Sequence, residues 1–162
     1  METSRPARTD DLPRLVELGR SGADELTALR GGSLYGRREG AGGIERPALA
    51  AALSDPACTV QVGSIGGAVV GFGVGRSEEL TGGGRLGRVE ALYVEPGARS
   101  VGVGEAIMHA MTTWFEAQGC DGVDAMALPG HRATKSFFEG AGFKARLIVM
   151  HKHLGGGEGA RG

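Results

Sequence analysis

The stretch from Leu86 to Gln118 constrains the chain most, because it joins a strand pattern, a glycine-punctuated loop and an amphipathic helix with no linker between them. Leu86 to Val94 carries apolar and aromatic residues at alternating positions, as a strand with a buried face does. Pro96 and Gly97 end it, since proline cannot donate to a ladder and glycine admits turn conformations. Gly102 and Gly104 punctuate the loop. From Val103 onward Ile107, Met108, Met111, Trp114 and Phe115 recur at helical spacing, with Gly119 as the stop. The first turn of a helix leaves backbone N–H groups unpaired and carries the positive end of the helix dipole, so it is a ready anion site. Glycines at 102 and 104 keep side chains away from those donors, and Arg99 can add a charge-assisted contact. A phosphate-bearing ligand fits this arrangement; a plain turn is the competing reading of two glycines in a chain that holds 31.

Spacing separates the phosphate-binding alternatives. A P-loop needs Lys-Ser or Lys-Thr directly after its last glycine, and here Glu105 and Ala106 follow Gly104. A dinucleotide fingerprint wants a third glycine where Ile107 stands. What remains is Arg-x-x-Gly-x-Gly after a strand ending Leu-Tyr-Val and a proline, matched by Leu92, Tyr93, Val94, Pro96, Arg99, Gly102 and Gly104. This resembles the acetyl-CoA-binding motif of the GNAT superfamily of acyl-CoA-dependent N-acyltransferases. A second motif of that superfamily, Asn-x-x-Ala-x-x-x-Tyr ending in Gly-Phe, is met in frame by His131, Thr134, Phe138 and Gly142-Phe143, with three side chains changed.

The resemblance runs from about residue 3 to 154 and implies an α/β (α+β) fold: a central mixed, mostly antiparallel sheet, splayed between the fourth and fifth strands and flanked by helices. It implies acetyl-CoA as co-substrate, with the pyrophosphate held by Arg99, Ser100, Val101, Gly102, Val103 and Gly104. It also implies that the backbone N–H near Val94, at the end of the strand carrying Leu92 and Tyr93, polarises the thioester carbonyl. His131, Lys135 and Phe138 fall where the second motif meets the cofactor. Lys135 reads equally as a solvated lysine, and His131 as a helix cap, a role compatible with cofactor contact.

At 162 residues the chain is expected to form one domain, residues 3 to 154, with 155 to 162 a disordered tail. A net charge of −1, from 19 acidic and 18 basic residues, supplies no global field for nucleic acid or an anionic membrane. No apolar run has membrane length and the first twenty residues lack a signal-peptide pattern. Cys58 and Cys120 follow no metal spacing and read as buried reduced thiols, so a cytoplasmic protein without a metal site is expected. Thr9 and Asp10 offer caps for a helix with Leu12, Leu15 and Val16 inward, closing at Gly19. A short helix around Ala23 to Leu29 precedes the glycine-rich piece from Gly31 to Gly43, expected to be the least ordered internal segment. Within it, Leu34 and Tyr35 are candidate acceptor contacts by resemblance, or parts of a plain loop. A helix over 44–53 and strands at 59–65 and 68–75, joined through Gly66-Gly67, come next. A strand at 122–128 and a last one at 146–154 complete the set. One last strand where the family has two leaves the final pairing to be completed differently, for which a homodimer partner is the candidate.

Acyl transfer to an amine needs a neutral amine, a donor for the developing oxyanion and provision for the departing thiolate. Glu90 alternates with Leu92 and Val94, which points its carboxylate to the cleft if they line it; it is the candidate base or amine-binding residue. The competing reading is a strand acid satisfied by Arg88 or Arg76. The expected function is an N-acetyltransferase acting on a small-molecule or peptide amine by direct transfer in a ternary complex, since neither cysteine lies in a motif to carry the acyl group. A catalytically silent acyl-CoA sensor is the alternative, motivated by phenylalanine at 138 where the motif has tyrosine.

Overall fold

The alternating runs become one five-stranded sheet in the computed structural model, which describes residues 1–40 and 45–155. Strands β1 (Glu2–Pro6), β2 (Cys58–Ile65), β3 (Ala68–Glu79) and β4 (Arg85–Val94) are sequential antiparallel neighbours, and β5 (Gly122–Asp124) lies parallel to β4. The hairpin through Gly66-Gly67 pairs Ile65 with Ala68. Helices α1 (Leu12–Thr27) and α3 (Arg46–Ser54) cover one face, where Leu15, Leu18 and Leu49 pack with Val62, Phe72 and Val74. Helices α4 (Val103–Ala117) and α5 (Arg132–Gly140) cover the other, where Ile107, Met111, Phe115 and Phe138 pack with Val89. With helices on both faces, β2 is buried from Cys58 to Ser64, its polar Thr59, Gln61 and Ser64 included, and Gln61 Nε2 donates to Thr59 Oγ1 at 2.9 Å.

The splay is visible in the ladder: β4 pairs β5 at Leu86, Gly87 and Arg88, then runs on to Val94 paired with β3 but not with β5. Among the described residues, the β5-facing backbone groups of β4 beyond Arg88 therefore have no ladder partner. The expected strand 122–128 is correspondingly short, ending at Asp124.

Several expected elements differ. Gly19 does not stop α1, which continues to Thr27; Gly19 is buried, and a Cβ on Gly22 would lie 3.3 Å from the Tyr93 ring, so the small residues let the helix approach the sheet. The glycine-rich piece begins as a short helix, α2 (Gly32–Tyr35), with a wide turn over Gly36–Gly40. Residues 41–44, including the expected start of the third helix, and 156–162, nearly all of the expected tail, lie outside the described residues. Residues 146–154 form no strand and lie exposed.

The chain's entry to α1 is pinned by Asp11, whose carboxylate accepts from both Arg5 terminal nitrogens, at 2.8 and 2.9 Å, and from the Arg8 N–H at 2.7 Å. The Arg5 hydrogen bonds are the main cause holding the Asp11 carboxyl below the usual carboxylate range, against the opposing effect of burial. A carboxyl with a lowered folded pKa stabilises above its unfolded value, about 3.9, and loses that contribution as pH falls through the folded pKa. Asp11→Asn should thus cost about 1 kcal/mol at neutral pH. Thermal melts against pH should show the gap between parent and variant closing below about pH 4.

Candidate active site

The turn after β4 builds an anion cradle from its backbone. Ser100 (φ 65°) and Gly102 (φ 95°) are both left-handed, at alternate positions, an arrangement that gathers successive N–H groups into a concavity. Ser100 holds that conformation with a side chain, at a cost on the order of 1 kcal/mol, the kind of strain found at ligand-gripping turns. Gly102 is the N-cap of α4; no side chain caps the helix, so its first-turn donors stay available. At Gly104 a Cβ would come 3.1 Å from Phe137 Cε2, so glycine lets α5 close against the loop. Val101 is half exposed, whereas the Val103 side chain belongs to the core beside Ile107. Val103 can therefore serve a ligand through its backbone alone.

Arg99 does not point freely into this cradle. Its terminal nitrogens donate to both carboxylate oxygens of Glu25 on α1, at 3.0 and 2.7 Å, its Nε donates to the Val94 carbonyl at 2.8 Å, and its guanidinium lies 5.5 Å from the Tyr93 ring centre. Arg14 makes a parallel tie, to Glu95 at 2.6 Å and to the Val69 carbonyl at 3.0 Å. Two arginines thereby fix α1 across the end of β4.

Between these elements runs a cavity of about 500 Å³, well inside the range of ligand sites. It starts at Ser100, Gly104 and Glu105, passes along β4 from Val89 to Val94, and is closed on one side by Met126, Ala127, Leu128 and α5. Its other side is α1 from Gly19 to Thr27, with Tyr35 and Gly36. Of the residues expected at the site, it gathers Glu90, Leu92, Tyr93, Val94, Arg99, Ser100, Gly104, His131, Phe138 and Tyr35. Leu34, one residue from Tyr35, is exposed and does not line it. Lys135 does not line it either; it points to solvent, 3.8 Å from Glu139 one turn along α5.

Glu90 reaches the cavity by a route that strand alternation does not give. Val74 faces Ala91 and Gly75 faces Val89, so Glu90 is the extra residue of a β-bulge. The bulge resets the alternation: Val89, Leu92 and Val94 pack towards α4, while Ala91 and Tyr93 pack towards α1. The expectation that Glu90 shares a face with Leu92 and Val94 is thus corrected. Its Oε1 accepts from Arg76 Nε at 2.9 Å, and Arg76 also donates to Asp55 Oδ2 at 3.1 Å. Glu90 is paired with Arg76, as the reading of a strand acid expects, and it is also a residue of the cleft wall.

On α5, His131 takes the N-cap position without a side-chain cap; its Nδ1 instead lies 2.6 Å from Thr134 Oγ1. Both residues line the cavity. Phe138, one turn after Thr134, is buried in edge-to-face contact with Phe137 and Phe143, centroids 5.5 and 5.1 Å away. Neither cysteine lines the cavity, and burial pushes the Cys58 thiol up to about 11, which leaves little thiolate at neutral pH. Among the described residues no group of three or more His, Cys, Asp and Glu is placed to hold a metal ion, and no helix is long and apolar enough to cross a membrane.

The sequence profile of the Acetyltransferase (GNAT) family matches residues 29–143. The chain belongs to the GNAT acetyltransferase family. No curated protein matches it by sequence alone. Solved structures share the GNAT fold. A tetramutant of the BH1408 protein from Bacillus halodurans superposes with a TM-score of 0.78 at 17% identity, covering 93% of this chain and 99% of that one. The ribosomal-protein-alanine N-acetyltransferase of Brucella melitensis biovar Abortus 2308 gives 0.69 at 18% identity, over 96% and 100%. The aminoglycoside N-acetyltransferase AAC(6')-Iy, solved in complex with CoA, gives 0.71 at 13% identity, over 95% of each chain.

The GNAT family uses acetyl-CoA, and this chain's residues fit that ligand: the cradle at Ser100 to Gly104 offers backbone donors to a pyrophosphate, and a cleft of about 500 Å³ continues from it along β4. Several lining residues were missed from sequence, among them Phe72 on β3 and Thr134 on α5. Glu25 and Leu26 lie on the part of α1 beyond Gly19, and Met126 lies past β5, where no motif marks it. The apolar spacing of Leu15, Leu18 and Leu26 across Gly19 was the available signal for Glu25 and Leu26.

Proposed function

We propose that the protein transfers an acetyl group from acetyl-CoA to a primary amine carried on a small, largely apolar framework, directly and without an acyl-enzyme. The observation that carries this reading is that one cleft holds the anion cradle, the ladder-free backbone of β4 and the bulged Glu90 together. The thioester is the activated acyl donor. The N–H groups of β4 beyond Arg88 supply hydrogen bonds where negative charge develops on the carbonyl oxygen. Glu90, its Oε1 fixed by Arg76, offers its other oxygen to the incoming ammonium and takes its proton, directly or through water. Thr134, backed by His131, offers a hydroxyl to the departing sulfur.

The acceptor chemistry follows from the far end of the cleft. Glu25 is tied to Arg99 through both oxygens and Glu105 stands at the cradle end, whereas Glu90 is held through Oε1 alone and keeps an oxygen for one cationic amine; the cavity also has an apolar wall of Leu26, Tyr35, Phe72 and Met126. A polycationic acceptor would want more carboxylates than this. Thiol release from acetyl-CoA against a panel of aryl-alkyl amines, aminoglycosides and peptides tests the reading. Turnover highest with the aryl-alkyl amines supports it, and saturable CoA binding with no turnover on any amine would favour an acyl-CoA sensor.

Phe138→Tyr should cost about 1 kcal/mol of stability, because the phenol enters a packed aromatic cluster. Since Phe138 also lines the cleft, the new hydroxyl should raise kcat where chemistry is limiting, with KM for acetyl-CoA unchanged. A variant that folds with kcat unchanged would place Phe138 out of reach of the departing sulfur, and one that folds but no longer binds CoA would leave the cleft no room for a hydroxyl there.

A further inference from the structure

Among the described residues, Arg99 is the one arginine or lysine that lines the cleft, in company with the carboxylates of Glu25, Glu90 and Glu105. Its charge is already answered. The guanidinium donates through both terminal nitrogens to the two Glu25 oxygens and through Nε to the Val94 carbonyl, so three of its five N–H donors are engaged. A single-contact pair at 39% and 33% side-chain exposure would add little, but a bidentate fork with a third bond is the geometry in which such a pair holds. A guanidinium neutralised and turned towards α1 brings no net charge to a pyrophosphate at Ser100 to Gly104, where the donors are backbone N–H groups.

The contacts around Arg99 form one layer. Gly22 and Glu25 stand three positions apart on the same face of α1. A Cβ on Gly22 would lie 3.3 Å from the Tyr93 ring, and the Arg99 guanidinium lies 5.5 Å from the centre of that ring. Helix α1 therefore rests on Tyr93 at Gly22 and is tied to Arg99 one turn later. The tie also settles the end of β4. Glu95 N–H donates to the Val70 carbonyl on the β3 side, so the Val94 carbonyl of the same trans peptide points the other way, into the splay, where Arg99 takes it up. One side chain thus joins the tip of the cleft strand to the helix that carries Leu26 into the apolar wall.

We propose that the Arg99 side chain is a positioning residue for the acceptor, which with Glu25 sets the distance between α1 and β4, and is not a ligand of the cofactor phosphates. The acceptor half rests on the acetyl-transfer reading; the phosphate half does not. Arg14 also ties α1, to Glu95 and to the Val69 carbonyl, but from the first turn of the helix, whereas α1 lines the cleft only from Gly19 onward. The two arginines therefore separate anchoring the helix from setting the cleft.

Calorimetry of the parent and Arg99→Gln with acetyl-CoA, at about 50 and about 300 mM salt, decides the phosphate half. At each salt the two Kd values should agree within about threefold. A rise of about 10-fold or more that shrinks at the higher salt is the signature of a phosphate ligand and would overturn the proposal. Steady-state kinetics with phenethylamine read the acceptor half. Arg99→Gln and Glu25→Gln should each raise the KM for this amine by about 10-fold with the KM for acetyl-CoA unchanged, and the double variant should be no worse than either alone, since all three break one tie. Arg14→Gln should lower the melting temperature and leave the amine KM as it is. An amine KM untouched by both cleft variants, or raised equally by Arg14→Gln, would overturn the proposal, the latter because general loosening of α1 would then account for the effect. A parent that binds acetyl-CoA but acetylates no amine would sink the acetyl-transfer reading alone. Amide hydrogen exchange over residues 19–27 would then decide: faster exchange in Arg99→Gln than in the parent supports the tie, and unchanged exchange overturns it.

Discussion

Gly102→Glu should abolish the rise in melting temperature that acetyl-CoA gives the parent. A ligand at a hundredfold excess over its Kd stabilises by about 2.7 kcal/mol, which for a chain of this size is about 5–10 °C. Gly102 is the N-cap of α4 and stands at φ 95°, a conformation that side chains rarely adopt. Its missing Cβ faces open space, the nearest atom being Glu2 Cγ at 3.9 Å, so a glutamate there has room and the fold should survive. The strain of placing any side chain at that φ is about 1–2 kcal/mol, and Gly102→Ala carries it without the carboxylate. Alanine should therefore lower the starting melting temperature and keep most of the acetyl-CoA shift. Glutamate should lower it similarly and lose the shift, because its charge occupies the concavity that the pyrophosphate would enter and repels it. A glutamate variant that keeps the full shift would move the phosphates elsewhere.

What the sequence made legible, and what it hid, follows from how local each determinant is. The cradle was legible because strand, proline, glycine loop and helix are contiguous, and each leaves its own mark within a few residues. The antiparallel pairing of β2 with β3 was legible from the hairpin at Gly66-Gly67, whereas β1, whose Glu2–Pro6 sequence is polar and ends in proline, gave no strand pattern to read. The extent of α1 was not, since Gly19 reads as a stop until the sheet lies against it; the tight fit of Gly22 to Tyr93 is a tertiary fact. For the same reason the Glu25–Arg99 pair, which spans 74 positions, could not be anticipated from motif spacing. The bulge at Glu90 was hidden because alternation is counted along one strand, while the extra residue is defined by the partner strand. Towards the C-terminus, 146–154 has a strand's composition and pairs with no strand among the described residues, so local propensity and structure disagree there.

The second large effect is expected at Glu90. Glu90→Gln keeps the shape and can still accept from Arg76 Nε, and Arg76 keeps Asp55, so the bulge should persist and the melting temperature should change little. What is lost is the charge that holds an ammonium and the site that takes its proton. A general base contributes on the order of 10² to 10⁴-fold, and kcat/KM should fall by that order at neutral pH. The loss should depend on pH in a definite direction. A primary amine has a pKa near that of lysine, about 10.4, so at pH 7 almost all of it arrives protonated and a base has work to do. As pH rises towards that value the neutral amine is supplied by solution, and the deficit of the variant should shrink. A structural role for Glu90 predicts something else: the same loss at every pH, together with a lower melting temperature, and Asp55→Asn, which loosens Arg76 from the opposite side, should then reproduce it. If glutamine lowers kcat/KM by a constant factor from pH 6 to 10, Glu90 belongs to the Arg76 network and the proton leaves the amine by another path. If the deficit closes with rising pH while Asp55→Asn stays near the parent, the bulge is the device that turns a strand carboxylate into the cleft to meet the amine.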